Sequence, residues 1–201
     1  MGLFDKKKCD ICGGKIGLLG NRKLDDGNMC SDCAKELSPY TTDRRKTSVS
    51  DIKDHLAYRQ ANKAEVAALN VTLSIGEYCK MHIDEEAGKF VVSSSDKWRS
   101  ENPDVISFSK VKLFSATRQE NKTELMRKDN DGKSVSYSPR QYKYDYDFYI
   151  TLTIDSPYFD EIRFRLNTFL VPAESKDFAK MDAIQDEIID YFHHMQVARK
   201  S

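Results

Sequence analysis

The sequence predicts an α+β protein: a small cysteine-stapled module, a linking helix, and a larger antiparallel β-barrel closed by a C-terminal helix. Three observations predict it. Four of the five cysteines fall in two Cys-x-x-Cys pairs near the N-terminus. From Val71 to Leu166 the apolar residues come largely at every second position, the period of strands with one buried face. From Phe178 to Met195 they recur every three or four residues, the period of an amphipathic helix. The parts divide at residues 1–40, 41–69 and 70–201.

The first part rests on Cys9-Asp10-Ile11-Cys12 and Cys30-Ser31-Asp32-Cys33, with 17 residues between the pairs. Two residues between cysteines let a tight turn aim both sulfurs at one ion, and this spacing suits a four-thiolate zinc site. Gly13-Gly14 fits the turn after the first pair, because glycine tolerates positive φ. Gly20-Asn21 reads as a hairpin turn between Ile16–Leu19 and Lys23-Leu24, and Asp26-Gly27 as a second turn before Cys30. Ala34 to Leu37 continues the second pair as a first helical turn. Knuckle, hairpin and helix together describe a treble-clef or zinc-ribbon module. A segment this short does not bury enough apolar surface to fold unaided. A structural zinc ion, worth about 10–16 kcal/mol in small fingers, supplies the difference. A redox dithiol calls for a βαβ setting that is not visible here, and the spacing does not match plant-type iron–sulfur proteins. Metal ligands are therefore expected at Cys9, Cys12, Cys30 and Cys33, one zinc per chain, with no catalytic or cofactor-binding residue elsewhere. Cys79, three residues before His82, reads as a buried free thiol, since positions three apart in a strand face opposite ways.

The polar stretch from Thr41 to Thr47 reads as a linker. Ser48 or Ser50 can cap a helix running through Asp51 to about Leu69, with a sparse apolar stripe of Ile52, Leu56, Val66 and Leu69. Strands are expected over Val71–Ile75, Tyr78–Ile83, Lys89–Ser93 and Asp104–Thr117. The clearest is Tyr142–Asp155, in which Tyr142, Tyr144, Tyr146, Phe148, Ile150, Leu152 and Ile154 share one face and fill the barrel core. It turns at Asp155-Ser156-Pro157 into a strand carrying Ile162, Phe164 and Leu166. The polar segment from Arg118 to Tyr137 holds the turn signal Asn130-Asp131-Gly132 and is either an extended hairpin or a mobile loop. Ser175 can cap the closing helix, whose stripe is Phe178, Met181, Ile184, Ile188, Phe192 and Met195. His193 and His194 are adjacent and diverge around the helix, which argues against a shared metal.

The 32 Lys and Arg balance 32 Asp and Glu, so no global basic bias favours nucleic acid. No run approaches the ~18 apolar residues of a membrane span. The opening Met1-Gly2-Leu3-Phe4, followed by Lys6-Lys7-Lys8, lacks the apolar core of a signal peptide. A cytoplasmic, reducing setting is the expectation.

The pattern Cys9-Asp10-Ile11-Cys12-Gly13, then Leu24 through Cys33, resembles a family of uncharacterised bacterial zinc-ribbon proteins in which the ribbon precedes a pleckstrin-homology-like domain. Asp104 to Val111 resembles a strand pair common in those domains. The resemblance implies a bacterial, cytoplasmic chain with a PH-like barrel over residues 70–201 and transfers no activity. The expected function is non-enzymatic: an adaptor that binds a protein partner through ribbon or barrel. Two alternatives remain open. Nucleic acid could bind through Lys6, Lys7, Lys8, Lys15, Arg22, Lys23, Arg44, Arg45 and Lys46, a set interrupted by Asp5, Asp10, Asp25 and Asp26. A membrane surface could bind the PH-like part, although its first turn, Asp84-Glu85-Glu86, repels anionic lipid. No phosphate-cradling loop, nucleophile elbow or His-Glu metal motif points to an enzyme.

Overall fold

A computed structural model describes residues 7–197; Met1 to Lys6, including the Asp5 and Lys6 named above, lie outside the described residues, as do residues 198–201. The N-terminal part holds two short antiparallel strands, β1 (Arg22–Lys23) and β2 (Asn28–Met29), followed by the five-residue helix α1 (Ser31–Lys35). Its hairpin turn is at Asp25–Gly27, where the Leu24 amide donates to the Gly27 carbonyl at 2.9 Å. Gly20-Asn21 is not that turn. Gly17 to Gly20 instead closes a small loop of its own, with Leu18 and Leu19 exposed at its tip.

Helix α2 (Val49–Ala68) starts in a capping box: Ser48 Oγ accepts from the Asp51 amide, and the Asp51 carboxylate accepts from the Ser48 amide. Its buried residues are Ile52, His55, Arg59, Asn62 and Val66, a face with three polar members at its centre. Ile52 packs with Cys9, Ile16, Leu24, Met29 and Leu37, so the small N-terminal core continues into this helix. Val66 packs with Leu69, Val91 and Trp98 at the other end. One helix thus belongs to both halves.

The larger half contains two open sheets. The first runs β3 (Leu73–Ile75), β4 (Lys80–Asp84), β5 (Lys89–Ser93) and β6 (Ile106–Ser107), all antiparallel neighbours, with the short helix α3 (Trp98–Glu101) between the last two. A 3-10 turn, Phe108–Lys110, interrupts what the sequence suggests is one strand, and β7 (Val111–Glu124) begins after it. Beyond β7 the chain forms the small hairpin β8 (Met126–Lys128) and β9 (Ser134–Ser136), then returns as β10 (Tyr142–Ile154). The 118–137 segment is therefore an extended hairpin, turned by Asp129, whose carboxylate accepts the Asp131 and Lys133 amides. On its other side β10 pairs with β11 (Glu161–Arg165) and, further along, with β12 (Val171–Pro172). Helix α4 (Lys176–Val197) follows, with Ser175 Oγ accepting from the Phe178 amide.

These sheets do not close into a barrel. Among the described residues no ladder joins the two sheets: the 3-10 turn at Phe108–Lys110 ends β6, which pairs with β5, before β7 begins its own ladder with β10. The two sheets and α4 nevertheless share one core, in which Phe90, Phe108, Phe148, Phe192, Met81, Ile83, Ile150, Leu152 and Ile162 are essentially inaccessible. Phe192 brings α4 against both sheets, 5.7 Å from the Phe90 ring and 5.1 Å from the Phe114 ring. The tyrosine row of β10 does not fill this core. The core begins at Phe148, Tyr146 is half-buried against Phe178, and Tyr142 and Tyr144 lie out on the projecting hairpin beneath Lys122. Asp145 and Asp147, on the opposite face, are the buried members of that stretch. Asp147 accepts from Asn167 and Arg165, and Asp145 is paired with Lys143.

Candidate metal centre

Each cysteine is placed by a local device. Lys8 and Lys15 bridge the two arms that flank the first pair. The Cys9 amide donates to the Gly14 carbonyl and the Gly13 amide to the Cys9 carbonyl, each at 2.8 Å, which closes the knuckle. Gly13 sits at φ 73°, where a side chain is strained. A Cβ at Gly14 would stand 3.3 Å from Cys12 Sγ, so glycine leaves the sulfur room. Cys30 is the N-cap of α1, and Cys33 lies in that helix one turn on. Asp10 ties the two pairs together: its carboxylate accepts the Asn28 amide at 2.7 Å, and its own amide donates to the Asn28 carbonyl at 2.8 Å.

The result is a compact four-thiol cluster in which all four Sγ atoms lie within 4.8 Å of one another. Cys9 and Cys33 are 3.9 Å apart at sulfur, and Cys12 and Cys30 are 3.8 Å apart. A tetrahedral ion with metal–sulfur bonds of about 2.3 Å requires edges of about 3.8 Å. Backbone amides already point at the sulfurs, from Cys30 to Cys9 Sγ at 3.2 Å and from Cys33 to Cys30 Sγ at 3.4 Å. Such donors stabilise thiolate over thiol.

The titration of the cluster carries the same message. Burial raises the Cys9 thiol, but the amides of Cys12, Cys30 and Ile11 and the Cys12 side chain outweigh it and hold it down at about 6. Cys33 is pushed up, first by burial, then by the neighbouring sulfurs and the charge on Cys9. Cys9 ionises readily while Cys33 resists, so crowding these sulfurs as thiolates calls for a cation between them.

Other residues singled out from the sequence go to different places. Cys79 is buried in the main core with its thiol pushed up to about 11 by burial. His82 faces away from it, stacked 5.0 Å from Trp98 and bonded to Ser74, so the two form no ligand pair. His193 packs edge-on against Phe114. Lys7, Lys8, Lys15, Arg22 and Lys23 are exposed in the N-terminal part, while Lys46 pairs with Asp43. Asp10 and Asp26, which interrupt the set, both cap backbone amides, of Asn28 and Val49. The turn at Asp84 is held by that carboxylate, which accepts the Asn70 and Ala87 amides.

One constellation has no counterpart in the sequence reading. Arg59 Nη1 donates to Asp104 Oδ1 at 2.7 Å, Ser38 Oγ donates to Asp104 Oδ2 at 2.8 Å, and the Ser38 amide donates to His55 Nε2 at 3.3 Å. Asn62 donates to the Pro103 carbonyl and to the side chain of Asn102. This network joins the segment after α1, the middle of α2 and the segment between α3 and β6. His55, Arg59 and Asn62 recur at four and three residues, the helical period, which is the signal an apolar-only reading passes over.

Residues 7–55 match the model of a domain of unknown function (DUF4428). The match takes in the cysteine cluster and ends in the first turns of α2, close to where the small core ends at Ile52 and Leu56. No curated protein and no solved structure gives a significant match.

Proposed function

We propose that the chain is a non-enzymatic adaptor whose N-terminal module is folded by one structural zinc ion and presented to a protein partner. The observation that carries this reading is the closed four-thiolate set at Cys9, Cys12, Cys30 and Cys33. Four protein ligands complete a tetrahedron and leave no position for water or substrate, so zinc there stabilises rather than catalyses. Support comes from what surrounds it. The loop beside the site holds Leu18 and Leu19, 98% and 89% exposed, at its tip. Adjacent, nearly bare leucines at a loop tip suit insertion into a partner's apolar pocket. Two sheets sharing one core with a C-terminal helix agree with the pleckstrin-homology-like arrangement, which would make the larger half a platform for the ribbon.

Two measurements test it. Purified protein should hold one zinc per chain, lost in the Cys9→Ser/Cys30→Ser variant; metal-free protein with an intact N-terminal fold would refute the metal assignment. A partner captured by the full chain should be lost by Leu18→Ser/Leu19→Ser while zinc content stays unchanged. Equal capture by both would remove the loop from the interface.

A further inference from the structure

Among the described residues, strand β7 has a neighbour on one side only. Thirteen of its 14 residues pair with β10, Val111 and then Leu113 to Glu124 with a register shift at Lys112, and its other edge meets no strand. Most of it is exposed, and α4 covers one face without covering the edge, touching it through Arg118–Asp182 and through Gln185, which donates to the Thr117 carbonyl. A strand of this length, well beyond the ~5–6 residues usual in globular proteins, offers a long unpaired row of backbone donors and acceptors. Natural proteins blunt such edges with charge. Here the charges alternate in sign, and that order selects one partner.

We propose that the free edge of β7 pairs with the same edge of a second copy of this chain, antiparallel about a two-fold axis at Asn121. A two-fold axis perpendicular to the sheet sets residues equidistant from the axis opposite each other. Centred on Asn121, it places Arg118 against Glu124 and Glu120 against Lys122, with Gln119 against Thr123 and Asn121 against itself. Each ionic pair occurs twice by symmetry. These four residues share the face of β7 that carries Phe114, so they meet on one side of the joined sheet.

Neighbouring registers fail. Centred on Glu120, that glutamate faces itself and Arg118 faces Lys122. Centred on Lys122, that lysine faces itself and Glu120 faces Glu124. Slipping the pairing by a single residue would turn the two core faces to opposite sides. Like charges directly opposite in a ladder are destabilising and opposite charges favourable, so the register centred on Asn121, with two kinds of ionic pair each made twice, is favoured over those on either side.

An apolar contact agrees with this register. Continued past Leu125, it brings Met126 of one copy, half exposed in the single chain, opposite Ala116 of the other. Ala116 lines a groove of about 430 Å³ between β7 and α4, together with Leu113, Phe114, Ile189 and His193. The present partners of the charged residues are Asp182 for Arg118, the Tyr146 hydroxyl for Glu120, the Tyr142 ring for Lys122 and Arg140 for Glu124. Those of Arg118, Glu120 and Lys122 are surface contacts, weak enough to be shared or exchanged on pairing, and the Arg140 contact is long at 3.7 Å.

The test uses charge reversal in the full chain, read by sedimentation velocity with thermal unfolding as the check on folding. The intact chain should dimerise. Glu120→Lys sets lysines at 120 and 122 against each other, and Lys122→Glu does the same with glutamates, so each alone should dimerise about tenfold or more less tightly. An equimolar mixture of the two variants restores every pair as Lys against Glu and should dimerise again, as should the double variant Glu120→Lys/Lys122→Glu. Recovery in the mixture also shows that both single variants are folded. A monomeric intact chain at every concentration, single variants that dimerise like the intact chain, or a mixture that stays monomeric would each overturn the proposal.

Discussion

Asp104 is a carboxylate with no exposed surface, held by Ser38 and by an arginine whose side chain is itself 9% exposed. Removing one member of such a pair strands the other charge, which costs about 3–5 kcal/mol, far more than the pair contributes over a well-packed apolar substitute. Arg59→Met should therefore lower stability to urea by about 3–5 kcal/mol, and adding Asp104→Leu should return much of it. Equal losses in the single and double variants would show that packing, not charge, is at stake. His55, one turn before Arg59, adds a pH dependence. Burial holds its imidazole below the ordinary 6.5, with Asp104 pulling it up and Arg59 pushing it down by less. The folded chain then binds this proton less readily than the unfolded chain. The neutral ring's contribution is complete above pH 6.5 and is lost as pH falls below 6.5 through the depressed folded value. His82 is depressed too, chiefly by burial, and adds a slope of the same sign. Urea midpoints at pH 7.5 and 5.5 should thus differ in the parent and differ less in His55→Gln. An unchanged difference would mean that the slope comes from other groups.

Helix α2 is the element on which the sequence and the structure differ most instructively. Its start was legible to within two residues, as a cap at Ser48 or Ser50, and the capping box between Ser48 and Asp51 selects the first. Its role was not. A stripe of Ile52, Leu56, Val66 and Leu69 has a gap where His55, Arg59 and Asn62 sit, and polar residues at helical spacing look like a solvated face until their partners 40 or so positions away are in place. The same limit governs β10. Alternation correctly separated its two faces, yet did not say where along the strand the core begins, so half-buried Tyr142 and exposed Tyr144 read like buried Phe148. The cysteine cluster was legible because its geometry is set locally, by two turns and one helix start. For α2, Ser48→Ala should cost about 1 kcal/mol in urea unfolding. Gly27→Ala should cost more, about 1–3 kcal/mol, because its Cβ would stand 2.6 Å from Val49 Cγ2 and 2.8 Å from Asp10 Oδ2. That glycine is where the turn before Cys30 touches the first turn of α2. If Gly27→Ala were the milder of the two, the turn and helix would not be held at that distance.

Across the whole molecule, stability is unequally distributed, and α2 determines how one half feels the loss of the other. The N-terminal core is small, with Cys9, Ile16, Leu24, Met29, Leu37 and Ile52 as its buried members, while the larger core draws on two sheets and α4. A core of the first size does not hold a chain together without a staple, whereas the second contains none of Cys9, Cys12, Cys30 and Cys33. Stripping the metal should therefore unfold residues 9–37 and leave β10 and its neighbours folded. The damage should also spread further than the ligands. Asp26 caps the Val49 amide at 2.7 Å and the Asp25 amide donates to the Thr47 carbonyl, so the start of α2 loses its supports when the N-terminal module opens. The spread should stop at Arg59, whose bonds to Asp104 and to the Asn102 carbonyl anchor the helix from the other side. Hydrogen exchange before and after treatment with a strong chelator measures this profile. Protection should vanish over residues 9–37, fall over the first two turns of α2, and persist from Arg59 onward through the strands. Uniform loss would mean the two halves fold as one unit, and unchanged protection near the cysteines would mean that the module needs no metal to fold.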